Sequence, residues 1–397
     1  EKVPLLIGID AEWGLGMRLD STISYPRQMA LGATNDTLLT YQMAADIAHQ
    51  LKRMGIHINF APVIDINSNP LNPVIGSRAF GQDMEMVTRH GMAYTKGLQD
   101  NGILACAKHF PGHGDTYDDS HLTLPLVPHS ANRIDSIELY PFKKLFAAGV
   151  ASVMVAHLKI PSLEPDTLLP ASLSPRIVGQ KLFGELGFNG LAFTDAMNMK
   201  GVAGYYNPVD ANIRSLMAGN DILLFPSEIE NTIKKVEQLI KSGLIPEELI
   251  NIKCKKVLMA KYLVGLNKYR PINVDRLYND LNSPYSQVLR RKIIRNAITV
   301  IHNANNILPL RRLDTLRIAY IEIGESKGDA LREQLELYTA VHTFSINPEA
   351  EQAEYDTLLT NLEPYNLIIV GYHTIESKAA KGFGVSQQSS NFLFDLS

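Results

Sequence analysis

Six short apolar runs set the architecture of this chain: "LLIGID" (5–10), "INFAPVID" (58–65), "ILACAKHF" (103–110), "ASVMVAH" (151–157), "GLAFTD" (190–195) and "DILLF" (221–225). They are rich in Val, Ile, Leu and Phe and do not alternate with polar residues, as expected of strands covered on both faces. Amphipathic helical patterns separate them. In "LLTYQMAADIAHQLKRMG", Tyr41, Ala44, Ile47, Ala48 and Leu51 share one face and Gly55 supplies a stop. "DMEMVTRHGMAYTKGLQDNG" and "SIELYPFKKLFAAG" repeat the pattern. Strand–helix alternation at this spacing builds parallel βαβ units. An open doubly wound sheet and a closed (β/α)8 barrel both satisfy it. The run ends favour the TIM-type barrel: Asp10, Asp65, Lys108 with His109, His157 and Asp195 all stand at C-terminal strand ends, which in a barrel converge on one mouth. A closed barrel needs eight strands. The chain opens directly on its first run, so two strands are expected to be missing on the N-terminal side.

The barrel pattern extends over residues 1–266. Residues 267–287 are polar and punctuated by proline, and read as a linker. Residues 288–397 bring the helical pattern "VLRRKIIRNAITVI" and the strands "LRIAYIEIG", "AVHTFSI" and "NLIIVGYH". This region is expected to be an α/β sandwich domain, and three strands make it an incomplete one. Two domains suit a chain of 397 residues. A hydrophobic fraction of 45% and a charged fraction of 20% are those of a globular protein. The net charge of -3, with no Lys/Arg cluster interleaved with aromatics, supplies no field for nucleic acid. No apolar run is long enough for a membrane span. Two distant cysteines, Cys106 and Cys254, exclude a disulfide framework and a multi-cysteine metal site. Cys106, inside an apolar run, reads as a buried free thiol.

The chemistry concentrates in "KHFPGHGDTYDDSH" (108–121). A metal site would need His109 and His113 on one helical face, and Pro111, Gly112 and Gly114 oppose a helix there. An acid–base reading fits better. Asp119 and His121 are two apart, and in an extended segment they point the same way. The carboxylate then fixes the imidazole tautomer and raises the basicity of its other nitrogen. Asp195, at the end of "GLAFTD", is either the N-cap of a following helix or a carboxylate nucleophile. A retaining glycosidase needs such a nucleophile together with a proton donor. Asp10, Arg78, Lys108 and His109 offer acceptors and donors for hydroxyl groups.

"APVIDINSNPLNPVIGSRAFG", "KHFPGHGDTYDDSHLTLP", "MVAHLKIP" and "FTDAMNMKGV" resemble, in order and spacing, the motifs of glycoside hydrolase family 3, and within it the β-N-acetylglucosaminidase branch that acts on bacterial cell-wall fragments. The resemblance covers about residues 3–265, and "NAITVIHNANNILPL" looks like the start of that family's second domain. It implies that Asp195 is the nucleophile, that His121 is the general acid/base with Asp119 as its partner, and that Asp10, Arg78, Lys108, His109 and His157 line the sugar site. It implies a mobile dyad loop, with "PGHGDTY" as its flexible stem. It also implies a carbohydrate substrate, catalysis without metal or cofactor, and, by analogy, an envelope or exported location. The sequence departs from the family at "DAEWGLGMRL": where relatives read "DQEGG", Trp13, the chain's single tryptophan, replaces a glycine. Its ring either packs under the loop or lines an aglycone subsite. A phosphorylase that passes the sugar to phosphate, a metal-dependent barrel hydrolase and a non-catalytic sugar-binding protein remain as other readings of the same sequence.

Overall fold

The structure, a computed structural model, describes residues 3–118, 123–325, 330–373, 375–376 and 379–396. The chain divides into two compact units, Glu1–Ile298 and Thr299–Ser397.

All six apolar runs of the first unit contain strands: β1 (Gly8–Ile9), β2 (Ile58–Asn59), β3 (Leu104–Phe110), β4 (Ser152–Val155), β5 (Leu191–Ala196) and β6 (Ile222–Leu224). They pair in parallel in the order β1-β2-β3-β4-β5-β6. Neighbours in sequence are neighbours in space, the arrangement of a sheet that rolls up. The rolling is visible in side chains. Phe60, just beyond β2, and Phe193 of β5 are three strand spacings apart, roughly 14 Å in a flat sheet, yet their ring centroids lie 5.3 Å apart. The expected eight-stranded barrel is therefore met as a curled six-stranded parallel sheet among the described residues.

Period-two alternation decides which residues face inward. Leu104 and Cys106 of β3, Met154 of β4, and Leu191 and Phe193 of β5 join one inner cluster. Ala105, Ala107, Val153, Val155 and Ala192 face the helices. Those helices begin where the sequence supplies caps. The Asp36 carboxylate accepts from the Leu38 and Leu39 N–H groups to start α1 (Thr37–Arg53), and Asp83 accepts from the Met86 N–H to start α2 (Met84–Asp100). A Cβ on Gly97 would lie 2.5 Å from the Tyr41 carbonyl oxygen, so α1 and α2 pack that closely only because residue 97 has no side chain.

Residues 267–287 are not a free linker. Arg53 at the end of α1 donates to the Asp280 carboxylate (2.9 Å) and to the Asp275 carbonyl (2.6 Å). Helix α3 (Pro284–Ala297) then buries Leu289 and Ile293 in the first unit's core. Its Ser286 hydroxyl donates to Asp46 (2.8 Å), which also accepts from Tyr25 (2.7 Å). The compact division consequently falls after Ile298 rather than near 287. The polar composition suggested a linker, but these groups are satisfied on the barrel surface.

The second unit contains the three expected strands, β7 (Ile318–Ile323), β8 (Val341–Ile346) and β9 (Leu367–Tyr372), parallel and ordered β8-β7-β9. Ala319, Ile321 and Ile323 pack against Tyr355 and Leu358 of α4 (Gln352–Leu362) and Phe392 of α5 (Gln387–Asp395). This is an α/β layer, with two helices on one sheet face. No helix of the described residues is long and apolar enough to cross a membrane.

Phe193 is 3% exposed and joins strands from opposite sides of the curl. Phe193→Ala should lower unfolding stability by about 3–5 kcal/mol in urea titrations. A loss below about 1 kcal/mol would show that the inner cluster does not hold the sheet closed.

Candidate active site

The inward parity continues past the apolar part of each strand. Lys108 follows Leu104 and Cys106, and Asp195 follows Leu191 and Phe193. Asp10 comes directly after β1. These residues meet at a cavity of about 480 Å³ whose wall includes Asp10, Trp13, Arg78, Lys108, His109 and Asp195. Six of the nine residues expected at the site thus share one cavity. Asp119 and His121 lie outside the described residues.

Two buried titratable members of this wall were given no role by the reading of the sequence. The first is Glu12, 1% exposed. Its Oε1 lies 2.8 Å from Lys108 Nζ and 2.7 Å from Arg78 Nη2, and its Oε2 accepts from Arg78 Nε at 3.1 Å. Lys108 Nζ also donates to Asp10 Oδ1 (2.8 Å), and Arg18 Nη2 donates to Asp10 Oδ2 (3.0 Å). The result is a chain of alternating charges, Arg18–Asp10–Lys108–Glu12–Arg78. Burial alone would raise the Glu12 carboxyl, but Lys108 and Arg78 outweigh it and hold the group well below the ordinary carboxylate range. The signal was present in "DAE": two carboxylates two apart at a strand end point to the same side.

The second is His113, which is almost fully buried. Its Nδ1 lies 2.9 Å from the Thr116 hydroxyl, and its Nε2 has no partner among the described residues. Burial, then the nearby His109, pushes its pKa down to about 4, so the ring is neutral at pH 7. Asp65 organises both histidines. It accepts from the backbone N–H of His113 (2.7 Å) and from the backbone N–H and Nδ1–H of His109 (2.7 Å for the ring). Because a carboxylate can only accept, His109 carries its proton on Nδ1, and its Nε2 faces Arg78 Nη2 at 3.3 Å as an acceptor.

Asp195 Oδ1 accepts from the backbone N–H of Ala196 at 2.8 Å. Burial would raise its pKa. This N–H and Lys108 hold it below the ordinary value, so the carboxylate is ionised at neutral pH. His157 stands behind the wall rather than in it. Its Nε2 lies 3.1 Å from the Ala196 carbonyl oxygen and its Nδ1 2.6 Å from the Ser172 hydroxyl. The carbonyl only accepts, so Nε2 bears the proton and Ser172 donates to Nδ1. Burial lowers the pKa of this ring. His157 therefore touches the peptide that follows the carboxylate, and does not line the cavity.

The stem "PGHGDTY" differs from its expected flexibility. Pro111–Gly114 and Thr116 are buried. A Cβ on Gly114 would sit 1.7 Å from the Ile66 carbonyl oxygen. The Asn72 side-chain amide donates to the His113 and Gly114 carbonyls at 2.8 and 3.2 Å. Below the stem, Asp115 accepts from His129 Nε2 at 2.7 Å. Asp115, His129 and Glu138 have ligand-type atoms within 4.8 Å of one another. The positive charge among them comes from Arg133, 2.5 Å from Glu138 and 3.9 Å from Asp115, so the group acts as an anchor for the stem.

With this geometry in hand, comparison with known proteins is direct. The sequence model of the Glycosyl hydrolase family 3 N terminal domain matches residues 1–260. The chain belongs to glycoside hydrolase family 3. Beta-hexosaminidase A of Pseudoalteromonas piscicida is 33% identical over 362 residues, covering 85% of this chain and 60% of that protein. Beta-hexosaminidase LpqI of Mycobacterium tuberculosis is 33% identical over 266 residues, covering 65% of this chain and 68% of its own length. The solved structure of a family 3 β-N-acetylglucosaminidase from Paenibacillus sp. str. FPU-7 superposes with a TM-score of 0.79 at 31% identity, over 97% of this chain and 76% of the other. The chain thus spans about three fifths of the length of the first of these relatives.

Because the folded-state pKa of Glu12 is depressed, its ion pairs stabilise the fold above the unfolded value near 4.5, and that stability is lost as pH falls toward the folded pKa. Glu12→Gln should cost about 3–5 kcal/mol at pH 7, and the gap from the wild type should shrink in denaturant titrations below pH 4.5. A gap that stayed constant down to pH 2 would remove Glu12 from the charge chain.

Proposed function

We propose that the protein is a retaining exo-β-N-acetylglucosaminidase that removes terminal N-acetylglucosamine from β-linked glycosides, with peptidoglycan fragments as its substrate class. The observation that carries this reading is an ionised Asp195 carboxylate sharing one mouth with the Asp10–Lys108–Glu12–Arg78 charge chain. Membership of glycoside hydrolase family 3 and the printed names of the hexosaminidase relatives support the same substrate class.

In this mechanism the sugar hydroxyls donate to Asp10 and accept from Lys108 and Arg78. His109 Nε2 accepts from Arg78, which fixes the ring at the cavity wall. Asp195 attacks the anomeric carbon as the bond to the leaving oxygen breaks. His121, oriented by Asp119, protonates that oxygen. The glycosyl–Asp195 ester is then attacked by water, which His121 deprotonates, and N-acetylglucosamine leaves with retained configuration. The two residues of the proton-transfer pair are assigned from the sequence motif.

Asp195→Ala should lower turnover of an aryl N-acetyl-β-glucosaminide by roughly 10⁴-fold or more. His121→Ala should cost about 10²–10⁴-fold on glycosides with poor leaving groups and far less on a dinitrophenyl glycoside, which needs no protonation. Equal losses on both would take His121 out of the donor role. Product analysis with and without phosphate should show free N-acetylglucosamine in both cases. A sugar 1-phosphate would instead make the enzyme a phosphorylase.

A further inference from the structure

Within the charged wall, one arginine has no carboxylate partner among the described residues. Glu12 is held by Lys108 and Arg78, and Asp10 by Lys108 and Arg18. Arg27 also lines the cavity, but among the described residues it forms no ion pair. Its Nη1 donates to the Ser77 hydroxyl at 2.9 Å, and its guanidinium carbon sits 4.9 Å from the centre of the Trp13 ring. The tryptophan that replaces the family's glycine thus gives one face to an arginine.

The segment behind Arg27 is rigid. The Tyr25 backbone N–H donates to the Trp13 carbonyl (3.0 Å), and the Gln28 side chain makes two hydrogen bonds to the backbone of Val63 (2.8 and 3.1 Å). Arg27 is exposed, whereas Lys108 and Glu12 below it are buried. With Nη1 engaged by Ser77, the Nε–Nη2 edge is the side left for a planar oxyanion. An arginine propped in advance loses little side-chain entropy when it binds.

We infer that Arg27, propped by Trp13 and Ser77, selects substrates whose aglycone carries a carboxylate. This rests on the glycosidase reading for the sugar in the pocket. The floor holds the N-acetylglucosamine unit, and the rim reads the charge of whatever is attached to it.

The test uses the full chain and two ligands, the 4-carboxyphenyl and 4-carbamoylphenyl 1-thio-β-N-acetylglucosaminides, which resist hydrolysis and differ in one charge. Calorimetry on the wild type should show the carboxylate binding about fivefold tighter, with the gap erased by 0.5 M salt. Arg27→Gln should remove the difference, Arg27→Lys should keep part of it, and Trp13→Leu should reduce it. Equal affinity for the two ligands in the wild type, or a preference that survives Arg27→Gln, overturns the proposal. So does Arg27-dependent binding of inorganic phosphate without any preference between the thioglycosides, since the site would then serve a free oxyanion. Turnover of the carbamoylphenyl O-glycoside is read separately: its absence would count against the glycosidase reading, while the binding comparison would still decide the role of Arg27.

Discussion

Everything at the mouth depends on one buried ammonium group. Lys108 is 2% exposed, and removing a lysine from water costs several kcal/mol unless its charge is met in place. It is met by Asp10 and Glu12, each 2.8 Å away. This requirement ties the end of β3 to the end of β1. Arg78, from the tight turn Gly76–Arg78, then closes on the far side of Glu12. Three segments distant in sequence are fixed by a single electrostatic condition. All four residues line the same cavity, so the interaction that holds the mouth together also gives it polarity.

Beneath that chain the interior of the curled sheet is apolar. Cys106, Met154 and Phe193 belong to its inner cluster. Burial pushes the Cys106 thiol up to about 12, which leaves it an apolar filler, as its place in the sequence suggested. A floor of this kind lowers the local dielectric and strengthens each polar contact above it. The half-buried Asp195 keeps a lowered pKa because the Ala196 N–H and Lys108 outweigh the cost of its burial.

The strands were legible as short apolar runs, and all nine runs contain one; burial on both faces holds for β2, β3 and β4, whereas β1 and β8 are partly exposed. Polar strand ends likewise located most of the mouth. Two kinds of error remained. Position at a strand end says nothing about side: His157 shares the outward parity of Val153 and Val155 and so lies behind the wall. His109 has outward parity too, yet it reaches the cavity because the β3–β4 ladder shifts register between Lys108 and Phe110. Alternation within one run cannot reveal a shift that depends on the neighbouring strand. The other error was compositional. Polar residues 267–287 resembled a linker, and glycines in 112–114 resembled a flexible stem. In both places the polar groups and bare Cα atoms serve close packing against backbone, which depends on residues such as Arg53, Asn72 and Ile66 elsewhere in the chain.

The stem is fixed from several sides. His113 is held by Asp65, Asn72 binds the carbonyls that follow it, and Asp115 is held by His129. Thr116, the last buried residue of the stem, receives a hydrogen bond on its carbonyl from Asn69 (2.8 Å). The stem that follows Lys108 and His109 is therefore held through both its backbone and its side chains by partners outside it. Its glycines admit that close packing, since a Cβ at residue 114 would meet the Ile66 carbonyl oxygen, and the same contacts fix the part of the cavity wall that includes His113.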